Sequence, residues 1–105
     1  MIRWAVPLTA AGIAFAMPAV LHAEEAELAP KGRSIYHSYC ALCHGPNLVN
    51  RGSNTFDLRK FPLDQPERFL TSVKKGKRAM PPWGDRLSND DIKAIWAYVK
   101  TRGKS

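Results

Sequence analysis

Cys40 and Cys43 are the only cysteines in the chain, and both lie in the stretch Cys40-Ala-Leu-Cys-His44. A Cys-x-x-Cys pair supports three chemistries: a redox-active disulfide, half of a zinc site, or covalent attachment of a haem. Cysteines at positions i and i+3 lie on one side of a helical turn, so both sulfurs can reach the two vinyl groups of one porphyrin. The adjacent His44 can then turn towards the iron. Haem attachment is therefore the interpretation that uses every residue of the stretch.

The two other chemistries explain fewer of these residues. A structural zinc site usually has four nitrogen or sulfur ligands, and His37, the nearest additional ligand, lies only three residues before Cys40. A thioredoxin-like motif is expected beside a βαβ pattern, whereas the sequence before Cys40 has a helical pattern. A plain structural disulfide leaves His44 and the long loop after it without a role.

Met80 is the candidate for the second axial ligand of the iron. It lies in Ala79-Met-Pro-Pro-Trp-Gly84, far enough downstream of His44 for the chain to pass around a porphyrin. The two prolines stiffen this loop, and a methionine followed by two prolines lies on no helical face. His37 is the rival ligand, but it belongs to the helical segment that leads into the cysteines. A ligand-binding or peroxidatic haem protein, the alternative function, requires Met80 to leave the iron open.

The N-terminus predicts export. It combines the basic start Met1–Arg3 with an apolar run to about Val20 and a small residue, Ala23, at a cleavage point. A retained membrane anchor is the alternative, but the run contains Pro7 and Pro18 and is shorter than the roughly 20 apolar residues of a spanning helix. We therefore expect a periplasmic protein in an oxidising compartment, with no stable membrane insertion after cleavage.

The domain organisation follows from this leader. We expect a signal peptide at 1–23, a flexible acidic lead-in at 24–30 and one domain at 31–105. The chain has 16 basic and nine acidic residues, a formal net charge of +7, and the leader contributes only one of the basic residues. Export does not favour nucleic acid as a partner, so the charge indicates attraction to acidic protein surfaces. A domain this small buries little apolar surface, and a buried cofactor would supply the missing core.

Three helices, long loops and no strand are predicted. The first helix begins after Pro30 and runs into the cysteine stretch, and the second begins near Pro66 and ends before Gly76. The third is capped by Ser88 and closes near Gly103. Between the first two, residues 45–62 are rich in turn formers and predict an extended loop that wraps a ligand. The third helix has the clearest apolar stripe, formed by Ile92, Ile95, Trp96 and Val99.

The cysteine stretch followed by Gly45, the late Ala79–Gly84 stretch and the last amphipathic helix together resemble a class I c-type cytochrome. The resemblance covers essentially the whole chain after the leader. It implies an all-α, class I cytochrome c-like fold wrapped around one haem c, bound covalently through Cys40 and Cys43. It also implies His44 and Met80 as the iron ligands, and electron transport without catalysis.

The family resemblance further implies how the first and last helices cross. In this family a glycine and an aromatic residue on one helix meet an aliphatic and an aromatic residue on the other. Gly32, Tyr36, Ile95 and Tyr98 match that pattern. The family's proline whose carbonyl orients the histidine ligand is not identifiable in this chain, because Pro46 lies too close to His44. That role stays unassigned.

A narrower resemblance concerns the partners. The run from Asn47 to Arg59 and the Met-Pro-Pro-Trp-Gly-Asp that begins at Met80 are similar to small periplasmic carriers that serve quinoprotein alcohol or methanol dehydrogenases. This implies a quinoprotein dehydrogenase as electron donor, a terminal oxidase or other acceptor, and a monomeric carrier. Arg59 and Trp83 are candidates to hydrogen-bond the haem propionates.

Four basic residues lie in one run before the proposed ligand loop: Lys74, Lys75, Lys77 and Arg78. One interpretation is that they surround the exposed haem edge and attract an acidic partner. The other is that they simply end a helix, because cations at a helix C-terminus are stabilised by its dipole. The sequence leaves both open.

Overall fold

The computed structural model describes residues 17–50, 52 and 55–104, with side chains described from residue 27 onwards. These residues form four α-helices and no strand, which confirms the predicted all-α fold. Two short 3₁₀ turns lie in the loop between the second and third helices, in agreement with the predicted extended loop. The helices are α1 (Met17–Tyr39), α2 (Ala41–His44), α3 (Pro66–Lys75) and α4 (Asn89–Lys100), and the turns are Pro46–Leu48 and Leu58–Lys60.

The first helix begins earlier than predicted. α1 continues through Pro30 instead of starting after it, so the predicted start is wrong, and residues 24–30, expected to form a flexible lead-in, are helical. The segment before Pro30 consists of alanine, glutamate and leucine, which favour helix strongly enough to outweigh one missing backbone donor. Ala29 in this segment is buried. Of the predicted leader, residues 1–16 lie outside the described residues, and cleavage after Ala23 stays a prediction.

No helix in the described part of the chain is both long and apolar enough to cross a membrane.

The first helix also ends sooner than predicted. α1 stops at Tyr39, and the cysteine stretch forms the separate one-turn helix α2. The amide of Cys40 still donates to the carbonyl of Tyr36 at 2.7 Å, while the amides of Cys43 and His44 both donate to the carbonyl of Cys40 at 3.2 and 2.9 Å. The helical turn expected from the cysteine spacing is therefore present, although it is not continuous with α1.

The crossing of α1 and α4 forms one half of the core. A Cβ atom at Gly32 would lie 1.8 Å from the carbonyl oxygen of Ala94, so the two backbones touch where only glycine fits. One turn further along α1, the rings of Tyr36 and Tyr98 pack with centroids 5.3 Å apart, and both residues are fully buried beside the buried Ile95. The crossing implied by the family resemblance is confirmed.

An aromatic cluster joins α3 to α4 and forms the other half of the core. The ring of Trp96 lies 5.0 Å from that of Phe69 and 5.6 Å from that of Phe61, and all three residues are buried. The predicted limits of α3 and the predicted start of α4 are confirmed, with Gly76 ending α3 at a φ of 80° and Ser88 capping α4, while α4 itself ends at Lys100. The Ser88 hydroxyl accepts from the amide of Asp91 at 3.0 Å, and the Asp91 carboxylate accepts from the amide of Ser88 at 3.1 Å.

Candidate haem-binding site

Cys40 is the residue directly before α2, and Cys43 is the third residue of that helix. Cys40 is half-buried against the core, whereas Cys43 is exposed, and the two are not joined by a disulfide. Burial, with a smaller contribution from Cys43, raises the pKa of the Cys40 thiol to about 11. A redox-active Cys-x-x-Cys motif needs the opposite shift, because the thiolate is its nucleophile. The electrostatics of this turn therefore do not support the disulfide-exchange alternative.

The imidazole of His44 is oriented by a backbone carbonyl. Its Nδ1 lies 3.1 Å from the carbonyl oxygen of Phe56, and since a carbonyl can only accept, Nδ1 carries the proton. Nε2 is then left with its lone pair, the state in which histidine binds a metal. Burial lowers the pKa of His44, against a smaller raising effect of this hydrogen bond, so the neutral ring is favoured. The Phe56 carbonyl is thus the candidate for the orienting role that the sequence left unassigned.

Sequence reasoning missed Phe56 because a backbone carbonyl is present at every residue. Its contact with His44 depends on how the loop after α2 returns to the cysteine turn. The predicted wrapping loop was the only signal pointing to this segment, and it specified no residue. A second contact lies within the same loop, before Phe56: the side-chain amide of Asn50 donates to the carbonyl of Thr55.

Large apolar side chains are exposed on the segments around His44. Leu42 is 98 % exposed, Phe56 50 % and Tyr39 41 %, and Val49 is also exposed. Val49 lies close behind the ligand turn, since a Cβ at Gly45 would meet its carbonyl oxygen at 1.9 Å. Apolar side chains exposed around one site mark a surface that binds a ligand. Together with the two thiols and the Nε2 lone pair, this surface fits a covalently attached porphyrin.

The loop that contains Met80 is held against the segment before Cys40. Lys77 and Met80 exchange two backbone hydrogen bonds, at 3.1 and 2.9 Å, which close a tight hairpin. The amide of Trp83 donates to the carbonyl of Val73 at 2.8 Å, and its ring packs edge-on to Tyr39 with centroids 5.6 Å apart. Met80 itself is half-buried against the core. The fold therefore brings the candidate ligand loop to the helix end that leads into the cysteine turn.

The rival ligand His37 is already engaged by the backbone. Its Nδ1 lies 2.8 Å from the carbonyl oxygen of Arg33, and its Nε2 accepts from the amide of Asn47 at 3.2 Å. Both ring nitrogens are used, so His37 offers no lone pair to a metal. This argues against both an iron ligand and a zinc ligand at that position.

The remaining candidate residues occupy two exposed places. Arg59 forms a two-point ion pair with Asp57, with both nitrogen–oxygen distances 3.0 Å, so its predicted contact with the haem propionates stays a prediction. The four basic residues of the run lie at the end of α3 and in the hairpin before Met80, and all are exposed: Lys74, Lys75, Lys77 and Arg78.

Comparison with known proteins identifies the family. Residues 27–99 match the family model described as cytochrome C oxidase, cbb3-type, subunit III. The cytochrome c6 of Microcystis aeruginosa is 44% identical over 72 residues, covering 65% of this chain and 89% of the relative. The cytochrome c6 of Gloeothece citriformis is 37% identical over 75 residues, 68% of each chain, and that of Cladophora glomerata 32% over 85 residues, 71% of this chain and 89% of the relative. The chain belongs to the class I c-type cytochromes.

Proposed function

We propose that His44 and Met80 are the axial ligands of the haem c in this cytochrome, and that the protein is a one-electron carrier without catalysis of its own. The family is one of haem c electron carriers, and Cys40 and Cys43 fit one covalently bound haem. The observation that carries the proposal is the Phe56 carbonyl on Nδ1 of His44, because it leaves Nε2 directed away from the backbone as a metal ligand.

Each residue of the proposed site has a separate task. The bound haem supplies one-electron exchange at its iron. Cys40 and Cys43 would hold the group covalently, and the neutral ring of His44 would bind its iron through Nε2. The thioether of Met80 would be the second iron ligand, and methionine gives a higher reduction potential than a second histidine. With both iron ligands supplied by the protein, oxygen and peroxide would be excluded, which favours electron transfer over a ligand-binding or peroxidatic role.

Met80 is tested by two variants. In Met80→Ala we expect the weak red-edge sulfur-to-iron absorption band of the oxidised protein to disappear and carbon monoxide to bind the reduced protein readily. Met80→Leu is the matched variant, because it keeps the volume of the side chain and removes only the sulfur. If Met80 merely fills the core, Met80→Leu behaves like the parent. Rapid binding of carbon monoxide to the parent would instead support the ligand-binding alternative.

Covalent attachment is tested independently. Haem should stay with the protein through denaturation and acid–acetone extraction, and the double variant Cys40→Ala/Cys43→Ala should lose it. Haem that is extracted from the intact protein would contradict attachment through these cysteines.

For the partners, we propose a quinoprotein alcohol or methanol dehydrogenase as donor and a terminal oxidase or other acceptor, met in the periplasm after removal of the leader. Redox protein partners in general follow from the family. The specific donor rests on the resemblance of the Asn47–Arg59 run and of the stretch after Met80, while the matched relatives are named only as cytochromes c6. Mixing the oxidised protein with a reduced quinoprotein dehydrogenase, and recording the rate of haem reduction, tests this donor.

The basic run before Met80 is the proposed docking surface. Three of its members, Lys74, Lys75 and Lys77, are exposed close to the ligand hairpin. Electrostatic steering raises association with an acidic partner by roughly 10- to 1000-fold at low salt. We expect the triple glutamine variant of these lysines to transfer electrons more slowly at low salt, with a flatter dependence on ionic strength and an unchanged reduction potential.

The control for this surface changes the same net charge elsewhere. A triple variant with glutamine at Lys60, Lys93 and Lys104 removes three exposed lysines outside the run. Stopped-flow rates against ionic strength compare the two triples. If the control slows transfer as much as the first triple, only the net charge matters, and the lysines of the run merely end α3.

A further inference from the structure

The turn directly after His44 has an unusual backbone. Gly45, Asn47 and Leu48 have φ values of 93°, 54° and 66°. Glycine adopts positive φ freely and asparagine tolerates it, but a branched, bulky residue such as leucine rarely does. A strained backbone of this kind persists only where surrounding contacts hold it. The turn that follows the proposed iron ligand therefore depends on its neighbours for its shape.

Contacts from both ends of the domain hold the turn. The side chain of Leu48 is fully buried, and the hydroxyl of Tyr36 on α1 donates to the carbonyl of Gly45 at 2.5 Å. From the C-terminal side Gly103 approaches so closely that a Cβ there would lie 2.5 Å from the carbonyl oxygen of Asn47. The amide of Asn47 points the other way and donates to Nε2 of His37 at 3.2 Å.

The ring of His37 is itself held in position. An amide can only donate and a carbonyl can only accept, so the contacts with Asn47 and Arg33 require the neutral ring with its proton on Nδ1. The ring packs edge-on to Tyr36 with centroids 5.4 Å apart and lies 6.1 Å from the ring of Tyr98. With the proton on Nδ1, the acceptor of the ring is Nε2, which faces the Asn47 amide.

We propose that His37 is a positioning residue for the haem ligand: by accepting the Asn47 amide it fixes the strained turn that begins at Gly45 and thereby keeps His44 aligned with the Phe56 carbonyl. The inference rests on the proposed ligation by His44. Without the acceptor the turn relaxes, and the hydrogen bond from Nδ1 of His44 to the Phe56 carbonyl weakens. That hydrogen bond raises the basicity of the ligating imidazole and so favours the more highly charged oxidised iron, and the reduction potential therefore rises when the bond weakens.

Two substitutions separate hydrogen bonding from packing. His37→Phe keeps a ring against Tyr36 but has no acceptor, whereas His37→Gln has an amide oxygen that can accept from Asn47. In the holoprotein with Phe at this position, exchange of the Asn47 amide hydrogen, followed by NMR, should accelerate about 2- to 12-fold, the factor expected for the loss of one hydrogen bond. At a fixed solution potential, the ratio of reduced to oxidised protein should rise. The Gln variant should restore both values towards those of the parent.

The control is Ser38→Ala. Ser38 neighbours His37 on α1, and its hydroxyl donates to the Ser34 carbonyl one turn back and not to the Asn47 turn, so neither measurement should change. An unchanged Asn47 exchange rate in His37→Phe overturns the inference, as does faster exchange with an unaltered redox ratio, or a Gln variant that behaves like Phe. Failure of the proposed function is seen separately: a parent spectrum without histidine ligation contradicts the role of His44, whatever the exchange rates of the variants.

Discussion

The contact between Gly32 and α4 allows a quantitative test of how the core is assembled. In Gly32→Ala the new Cβ would lie 1.8 Å from the carbonyl oxygen of Ala94 and 2.9 Å from the amide nitrogen of Ile95, and ordinary contact begins only at 3.4 Å. Both neighbours are backbone atoms of a regular helix, so no side chain can rotate away. The two helices must separate, and a gap of roughly 0.5–1 Å already forfeits a quarter to a half of the dispersion energy between the atoms on its two sides.

This separation weakens the packing of the buried tyrosines at the crossing. Overpacking a core typically costs about 1–3 kcal/mol, and with rigid backbone on both sides we expect Gly32→Ala to cost about 3 kcal/mol. For a domain of this size that lowers Tm by about 12–24 °C. Thermal unfolding of the oxidised holoprotein, followed by circular dichroism and by haem absorbance, measures it. The exposed Ser34→Ala on the same helix should leave Tm nearly unchanged, and a Gly32→Ala protein equally close to the parent would refute the direct backbone contact.

Three further predictions concern α4. Ser88→Ala removes the hydroxyl that accepts from the Asp91 amide and should cost about 1 kcal/mol in urea unfolding. The hydrogen bond from the Ser88 amide holds the pKa of Asp91 below its usual 3.8. The ionised carboxylate therefore stabilises the folded state above pH 3.8, and this stabilisation is lost as the pH falls through the lowered pKa. In Asp91→Asn, the free energy of unfolding should accordingly depend less on pH in the acid range. Trp96→Ala opens a cavity beside Phe61 and Phe69 and should cost about 3–5 kcal/mol, measured by the same unfolding assay, whereas the exposed Lys93→Ala should cost little.

The local features of the site and fold were predictable from the sequence. The helical turn at Cys40 depends on residues three apart, and the limits of α3 and α4 depend on Pro66, Gly76 and Ser88 within one turn of each helix end. In each of these places the deciding interaction lies between near neighbours in the chain. Pattern and residue type were therefore sufficient to predict it.

The features that sequence reasoning missed depend on distant contacts or on competing local preferences. The Phe56 carbonyl reaches His44 only because of the path of the intervening loop. The role of His37 depends on the Asn47 amide, and an amide is likewise present at almost every residue. The early start of α1 is a competition, in which helix-favouring residues and the buried Ala29 outweigh Pro30. The outcome depends on the relative free energies of helix propensity, of burial and of the missing proline donor, and a residue pattern alone does not give these values.

The pairing of α1 with α4 also has a consequence for the order of events during biosynthesis. The helix that precedes the cysteines buries Tyr36 by packing against Asn89–Lys100, the last helix of the described chain. A ribosome adds about 5–20 residues per second, so α1 waits for several seconds without the surface that buries Tyr36. During that interval the chain has no folded core that would oppose its passage through a translocation channel. A protein proposed to be exported would thus remain translocation-competent until α4 has been synthesised, and it would complete its core only after that point.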